Sequence, residues 1–440
     1  MKKINSLYPL DNYNCSKNEL LEYFKNSWQL SATLYSTIQD EESLYLNPDK
    51  LRLPLLFYLG HTAAFYINKM RIIGLIKRGV NDYYEELFAE GVDPVHPQYL
   101  RVVDKWPAYK EVRQYRDKVF EVIINVIENL SFDFIHQESK EYALLMGIEH
   151  DRIHFETSSV LIRQYCTNVL KKPEQWVYAP ITNEQIKQSM ITVPNDSVVI
   201  GKPKGHPYFA WDNEQGYLNV RVSAFVASRN LISNKEFSDF VNSEGYDKQY
   251  FWSTEGWSWK IENKVTHPRF WVFEDDIYKY RTIFEKIDMP WNWPVEVNFH
   301  EAEAYCNWFG NGARLMKEEE FELISQYSDV NQEPFLKDNY NINMKFGSPC
   351  SVNFFESNTN CFNDVYGNVF QWLKTQFYPL PGFQTHNLYP HFSYPFFTPD
   401  HMMLKGGSWA STGTSASRYY RLWFRKHIYQ HAGFRVVQDL

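Results

Sequence analysis

Two histidines four residues apart, His150 and His154, constrain the fold of this chain more than any other feature of its sequence. They stand in the run Met146-Gly-Ile-Glu-His-Asp-Arg-Ile-His-Phe-Glu156, and in an α-helix this spacing places both imidazoles on one face, one turn apart. Such a pair suits iron, zinc, copper or nickel. Asp151 follows the first histidine where the helix of a zinc peptidase has a glutamate, which disfavours a peptidase. Without a third ligand, the spacing also fits two ordinary interface histidines.

The length and charge of the chain limit its organisation and its partners. A chain of 440 residues is too long for one typical hydrophobic core, so two domains are expected. The net charge is -8 and no basic stripe is present, which argues against nucleic acid as a partner. The longest uncharged stretch before the histidine run, residues 53–68, is too short and too interrupted to span a bilayer, and the N-terminus lacks the apolar core of a signal peptide. We therefore expect a cytoplasmic protein with no membrane partner.

Four helical patterns precede residue 175. They cover about 17–38, 55–77, 108–130 and 138–168. Four long amphipathic helices with one long connection, about 80–107, predict a four-helix bundle, a fold that often holds a metal between facing helices. His61 lies on the inward side of the second helix and can supply a third imidazole, which would leave coordination positions open for substrate or dioxygen. Alternatively, His61 is a buried histidine bonded to a carbonyl group.

The remainder of the chain has a different pattern. Most of the 14 Trp and 19 Gly residues lie after residue 176. Short β-like runs such as 197–201 and 217–225 alternate with turns, and one clear helix covers 300–308. Periodicity alone predicts an irregular α+β domain.

Five motifs occur in order in this second part. They are Pro294-Val-Glu-Val-Asn-Phe with His300-Glu-Ala-Glu-Ala-Tyr-Cys-Asn-Trp308, Ala313-Arg-Leu315, Tyr366-Gly-Asn-Val-Phe-Gln-Trp372, Gly406-Gly-Ser-Trp409 and Gly433-Phe-Arg435. In this order they resemble the formylglycine-generating-enzyme (sulfatase-modifying) type of C-type-lectin fold. The first part resembles a DinB-like four-helix bundle, whose metal site takes one histidine from one helix and two from another. The expected fold class is thus α plus α+β, with the bundle at 1–175 and the lectin-like domain at 190–440.

The two parts together resemble the non-haem iron sulfoxide synthases of ergothioneine and ovothiol biosynthesis. The strings at 57–65, 144–163 and 423–435 are most similar to the ovothiol branch, 5-histidylcysteine sulfoxide synthase. This resemblance implies Fe(II) as cofactor and L-cysteine, L-histidine and O2 as substrates. Many ovothiol-branch proteins continue into a methyltransferase domain, whereas this chain stops at Leu440, so we expect a separate methyltransferase to act later in the pathway.

The same resemblance implies roles for individual residues. His61, His150 and His154 would hold the iron. A tyrosine near the metal supplies a proton or a hydrogen atom in this family, and its place in the motif order assigns that role to Tyr389, with Tyr394 as the runner-up.

Substrate carboxylates favour arginine. Arg435 is the first candidate for binding them, with Tyr429 and His431 nearby in sequence, although Arg435 is equally compatible with a structural role inside the fold. The active site is expected between the two domains.

Three alternatives stay open at this point. The first is an ergothioneine-type synthase that uses hercynine with cysteine or γ-glutamylcysteine, which requires a site for a trimethylammonium group, for example through aromatic contacts. The second is a non-catalytic lectin-like binding protein with a degenerate bundle. The third is a zinc thiol-transferase of the DinB type.

Overall fold

The N-terminal part of the protein is helical. The computed structural model describes residues 3–89, 103–182, 184–328, 332–356 and 362–440. Its first helices are α1 (Lys17–Tyr35), α2 (Leu55–Ile72), α3 (Asp82–Leu87), α4 (Tyr109–Asn129) and α5 (Lys140–Ile162). Both α1 and α2 pack against α4 and α5, which gives the predicted four-helix arrangement. Its relation to the DinB family stays a prediction. The short helix α3 lies in the predicted long connection, of which residues 90–102 fall outside the described residues.

The helices begin close to their predicted starts but end earlier than predicted. The α1 helix starts at a capping box, in which the Ser16 hydroxyl accepts from the Glu19 amide and the Glu19 carboxylate accepts from the Ser16 amide. The α2 helix ends near Gly74, whose φ of 72° is left-handed, and not at residue 77. The α5 helix ends at Ile162 and not at 168, because the amide of Tyr165 turns back to the Ile162 carbonyl.

The C-terminal part combines small sheets with short helices. Its helices are α6 (Asn234–Asn242), α7 (Thr254–Glu262), α8 (Phe299–Phe309) and α9 (Glu318–Tyr327). Its strands are β1 (Met190–Val193), β2 (Asp196–Ile200), β3 (Leu218–Val222), β4 (Phe225–Ser228), β5 (Trp271–Glu274), β6 (Ile277–Arg281), β7 (Lys286–Asp288), β8 (Arg314–Leu315), β9 (Phe370–Gln376), β10 (His401–Lys405), β11 (Leu422–Arg425), β12 (Ala432–Gly433) and β13 (Val436–Asp439).

Most strands of this part belong to two four-stranded sheets. One has the order β1-β4-β13-β8 and the other β11-β10-β9-β12, while β2-β3 and β5-β6-β7 form smaller antiparallel sheets. The last strand, β13, pairs antiparallel with β4 and β8, with Val437 opposite Ala227 and Val436 opposite Leu315. The end of the chain is thereby fixed in the middle of a sheet. The irregular α+β fold predicted for this part is confirmed.

The hydrophobic core runs through both parts of the protein. Tyr66 of α2 and Trp372 of β9 belong to one cluster of buried side chains, and Trp176, just after the bundle, is also fully buried. Each such aromatic side chain removes a large area from water. None of the helices in the described ranges is long and apolar enough to cross a bilayer.

Candidate metal centre

The three predicted histidines lie together between α2 and α5. Their ring centroids are 5.0 Å apart for His61 and His150, 4.8 Å for His61 and His154, and 4.5 Å for His150 and His154. One nitrogen from each ring can be chosen so that all three lie within 4.8 Å of one another. The helical spacing of His150 and His154 produces this arrangement once α2 packs against α5. The alternative of a buried His61 bonded to a carbonyl group is observed, and it leaves the predicted role as a metal ligand open.

That carbonyl group fixes the chemical form of His61. The Nδ1 atom of His61 lies 2.7 Å from the main-chain oxygen of Phe88. Since a carbonyl oxygen only accepts, Nδ1 carries the proton and Nε2 keeps its lone pair for a metal. The ring of Phe88 covers Gly60, where an added Cβ would lie 2.6 Å from ring carbons. Glycine at position 60 therefore allows the close approach that brings the Phe88 carbonyl to His61.

The cluster is electrically neutral and suited to a cation. Burial lowers the pKa of His61 to about 4, and burial followed by the neighbouring histidines lowers the pKa of His150 well below its usual range. The pKa of His154 is lowered in the same way. Its Nδ1 atom is buried and has no hydrogen-bond partner. Three neutral imidazoles, one with an orphaned nitrogen, fit a divalent transition metal such as iron or zinc.

A cavity of about 150 Å³ opens beside the histidines. Half of the residues that line it are aromatic, namely Phe57, Tyr58, Tyr389, Phe392, Phe396, Tyr420, Trp423 and Phe424. The residues that line it include no Asp or Glu. The cavity therefore combines a candidate metal site with an apolar, electron-rich wall from both parts of the chain.

Arg52 supplies the positive charge at this cavity, and no sequence motif pointed to it. Its guanidinium carbon lies 5.5 Å from the ring centre of Tyr58 and 5.9 Å from that of Phe424. Within the described residues it forms no ion pair. Arg52 precedes α2 by only a few residues and stands nine positions before His61. The only sequence signal was an arginine at the approach to the helix that carries a candidate metal ligand.

Tyr389 lines the same cavity. Its ring centre is 6.0 Å from that of His150 and 5.1 Å from that of Phe65, which stacks on His150 at 3.7 Å. Removal from water, followed by the charge of Asp212, raises the pKa of Tyr389 to about 12, so the hydroxyl keeps its proton at neutral pH. Tyr394, the runner-up from the sequence, is 67% exposed and does not line the cavity.

The three predicted substrate-binding residues do not line the cavity. Arg435 is buried, and its guanidinium donates to the main-chain carbonyls of Ser228, Arg229 and Asn363. These bonds correspond to the structural alternative for Arg435. A guanidinium can be satisfied by main-chain oxygens, and the linear sequence does not show such partners.

Tyr429, which is partly buried, and His431, which is fully buried, lie elsewhere in the C-terminal part. Tyr429 lies against Glu301 of α8. His431 lies with Nδ1 3.1 Å from Glu296 and Nε2 2.9 Å from the Ser159 hydroxyl. Its position links α5 to the C-terminal part of the chain.

The far side of α5 is held by residues 408–414, here called the junction loop. The carboxylate of Glu149 accepts from the Thr414 amide and hydroxyl, each at 2.7 Å. Glu156, seven residues later on the same helix face, accepts from the hydroxyls of Ser408 and Ser411. One helix therefore carries two of the three histidines and the main polar contacts with the junction loop.

Comparisons with known proteins identify the family of the C-terminal part and several similar proteins. The family model of the sulfatase-modifying factor enzyme 1-like domain matches residues 178–440, which starts before the predicted boundary at 190. The hercynine oxygenase of Mycolicibacterium thermoresistibile is 25% identical over 434 residues that cover 91% of this chain and 91% of that protein.

Two further relatives are similar over less of their own length. Ergothioneine biosynthesis protein 1 of Schizosaccharomyces pombe is 23% identical over 91% of this chain and 53% of that protein. The hercynine oxygenase of Mycobacterium tuberculosis is 31% identical over 52% of this chain and 56% of that protein. Since the family model covers more than half of the chain, this protein belongs to the family with a sulfatase-modifying factor enzyme 1-like domain.

Proposed function

We propose that this protein is an Fe(II)- and O2-dependent sulfoxide synthase that joins the sulfur of a thiol substrate to the imidazole of hercynine. The observation that carries the proposal is the three-histidine cluster that opens into an aromatic cavity with one guanidinium and no carboxylate in its wall. Two of the similar proteins are described as hercynine oxygenases, which supports the same choice of substrate.

The lining of the cavity favours a quaternary ammonium group over a primary one. A primary ammonium group brings three N–H donors and loses free energy on burial unless acceptors or a carboxylate receive them. A trimethylammonium group has no N–H donor and is stabilised by the faces of aromatic rings. Tyr58, Trp423 and Phe424 supply such rings, and no Asp or Glu of the described residues lines the cavity. This composition suits hercynine better than histidine.

Arg52 is the residue we propose for the substrate carboxylate. It is the only Arg or Lys among the residues that line the cavity, and it has no carboxylate partner among the described residues. A guanidinium can bind a carboxylate through two parallel hydrogen bonds, and its contacts with Tyr58 and Phe424 hold it in place. The imidazole of the substrate would then extend from Arg52 toward the histidine cluster.

Tyr389 is the proposed proton donor. Its hydroxyl is protonated at neutral pH, and its side chain lines the cavity beside His150. The reaction replaces one imidazole C–H bond and one S–H bond by a C–S bond and oxidises the sulfur to a sulfoxide. These changes remove four electrons, which reduce O2 to the sulfoxide oxygen and one water. When bound to the three histidines, Fe(II) supplies the redox chemistry that couples O2 reduction to this bond formation.

A second candidate reaction uses L-histidine with L-cysteine and gives 5-histidylcysteine sulfoxide. The strings at 57–65, 144–163 and 423–435 favour it, because they are most similar to the ovothiol branch. It would require the α-ammonium group of histidine to find acceptors other than side-chain carboxylates in the cavity wall. A separate methyltransferase would then act on the product.

The test is product formation by the reconstituted protein. The protein is loaded anaerobically with Fe(II) and exposed to ¹⁸O2 with cysteine or γ-glutamylcysteine, together with hercynine or histidine, and products are identified by mass spectrometry. We expect a hercynine–thiol adduct that carries one ¹⁸O atom. The His150→Ala variant should form none, whereas His267→Ala, which removes a histidine outside the cluster, should retain the activity.

Each other outcome has a definite meaning. A product formed only with histidine would select the second candidate and refute the quaternary ammonium argument. Tight zinc binding without O2 consumption in any substrate pair would refute the synthase and favour a zinc thiol-transferase. Absence of any bound metal after reconstitution would leave only a binding role.

A further inference from the structure

A second cavity, of about 330 Å³, lies at the C-terminal end of α5. Residues 163–168 form one wall and the β5–β7 sheet forms the other. Arg163 is nine residues beyond His154, a distance of about 13.5 Å along a helix, so this cavity is separate from the candidate metal centre. Four basic residues line it, namely Arg163, Arg269, Arg281 and Lys286, and no Asp or Glu does.

Two of these four positive charges are balanced by carboxylates. Arg163 donates to Glu296 at 2.7 Å, and Lys286 forms an ion pair with Glu274. The oxygens of Glu296 also accept from the Tyr280 hydroxyl and contact His431, so this carboxylate has no capacity left for another cation.

The other two charges lack a carboxylate partner. Arg281 is buried, and its guanidinium donates to the main-chain carbonyls of Tyr165, Thr282 and Ile283. Arg269 is exposed at the mouth and only approaches Gln164, at 3.4 Å. Within the residues that the structure describes, neither guanidinium forms an ion pair.

A buried donor in the wall is also unused. Arg163 is fully buried, and its Nη2 atom has no hydrogen-bond partner among the residues that the structure describes. An unpaired buried donor of this kind is costly, and more so when it is charged. Burial and then the nearby charge of Arg163 lower the pKa of Arg281 to about 10, as expected for two guanidinium groups that lie close together. A bound anion would offset the repulsion between the two guanidinium groups.

We propose that this cavity binds a small oxyanion of the phosphate class. Two unbalanced guanidinium charges match a dianion better than a monocarboxylate, and guanidinium groups bind phosphate oxygens through paired hydrogen bonds. Gln164, Thr167 and Asn168 line the same wall with further side-chain donors. The volume exceeds that of phosphate alone and leaves room for the organic part of a phosphate monoester.

Calorimetric titration of the full-length protein with inorganic phosphate tests this site. We expect one site per chain, with acetate at least tenfold weaker because it carries one charge. Arg269→Gln should weaken phosphate binding about tenfold, since it removes one charge-assisted contact. Arg113→Gln, which removes an exposed charge from α4, should not change it. Equal affinity of all three proteins, or no binding, would overturn the proposal.

The exposed thiol of Cys166 in the same cavity gives a second measurement. A positive cavity attracts anionic iodoacetate more than neutral iodoacetamide. We expect phosphate to slow the carboxymethylation of Cys166, read from its peptide by mass spectrometry, and to leave its reaction with iodoacetamide much less affected. The Arg269→Gln variant should lower the iodoacetate rate relative to the iodoacetamide rate. A rate ratio that neither phosphate nor the substitution changes would refute the proposed site even if binding were seen elsewhere.

Discussion

Gly413 in the junction loop offers a quantitative test of how the two parts of the protein are joined. Its φ of 61° is left-handed. A Cβ at this position would lie 2.5 Å from the Arg152 side chain and 2.5 Å from the Glu149 carboxylate, with the Tyr23 hydroxyl at 2.8 Å. Gly413→Ala therefore combines backbone strain with a clash against the buried polar face of α5.

The two costs can be separated. A non-glycine residue in the left-handed region costs about 1–2 kcal/mol, and overpacking in a well-packed interior costs about a further 1–3 kcal/mol. Together they predict a loss of about 2–5 kcal/mol in the free energy of unfolding for Gly413→Ala. Gly312 is the matched control, because its φ is 71° and no atom lies within 4 Å of an added Cβ. Gly312→Ala should lose only the strain contribution.

Urea unfolding followed by tryptophan fluorescence measures both variants against the parent protein. A second assay is competition of the iron-loaded protein with a chelator, since Glu149 precedes the candidate ligand His150 directly. We expect Gly413→Ala to release iron faster than Gly312→Ala. Equal losses of stability in the two variants, with equal iron release, would show that the junction loop shifts to accommodate the added Cβ without a loss of free energy. That result would refute the reasoning.

Four further predictions concern the cavity and the pH dependence of stability. His61→Ala should abolish stoichiometric iron binding measured by elemental analysis, and a variant that retained one iron per chain would rule His61 out as a ligand. Tyr389→Phe should lower kcat for sulfoxide formation by about 10²- to 10⁴-fold with little change in KM, as loss of a proton donor does, whereas Tyr394→Phe on the surface should not. Arg52→Gln should raise KM for the substrate whose carboxylate it binds by about ten- to a hundredfold, and an unchanged KM for both substrates would contradict that role. Burial raises the pKa of Asp364 from 3.8 to about 7, so between these pH values the folded protein retains a proton that the unfolded chain loses, and the free energy of unfolding declines as pH rises from about 4 to 7. Asp364→Asn should therefore stabilise the protein at pH 8, by at most about 4 kcal/mol, and have no such effect at pH 3.5. Denaturant unfolding at the two pH values would check this.

The histidine cluster was predictable from the sequence because its geometry is mostly local. Helical periodicity alone places His150 and His154 on one face, and only the pairing of α2 with α5 was needed to add His61. The family resemblance assigned Tyr389 a role near the metal; its side chain lines the cavity, and the role itself stays a prediction. For the histidines, the local pattern and the tertiary packing select the same residues.

The partners of the arginines were not predictable in this way. Arg435 was a candidate because guanidinium groups bind carboxylates, but its partners are main-chain carbonyls of residues more than 60 positions away in the chain. Arg52 is the converse case: no motif pointed to it, and only the folded structure brings it into the cavity wall near His154. Helix ends were also missed, because turns such as that at Gly74 depend on one backbone conformation.

The contact between His61 and the Phe88 carbonyl has a consequence for how this site can change in evolution. The acceptor is a main-chain atom, so no substitution at position 88 deletes it. The proton therefore stays on Nδ1 of His61 as long as the backbone keeps its course. The packing that brings the two segments together can vary, because it depends on the ring of Phe88 lying against Gly60, which has no side chain. Relatives with a larger residue at position 60 should carry a smaller one at position 88, and this co-variation would identify the contact where comparison of the ligands alone would not.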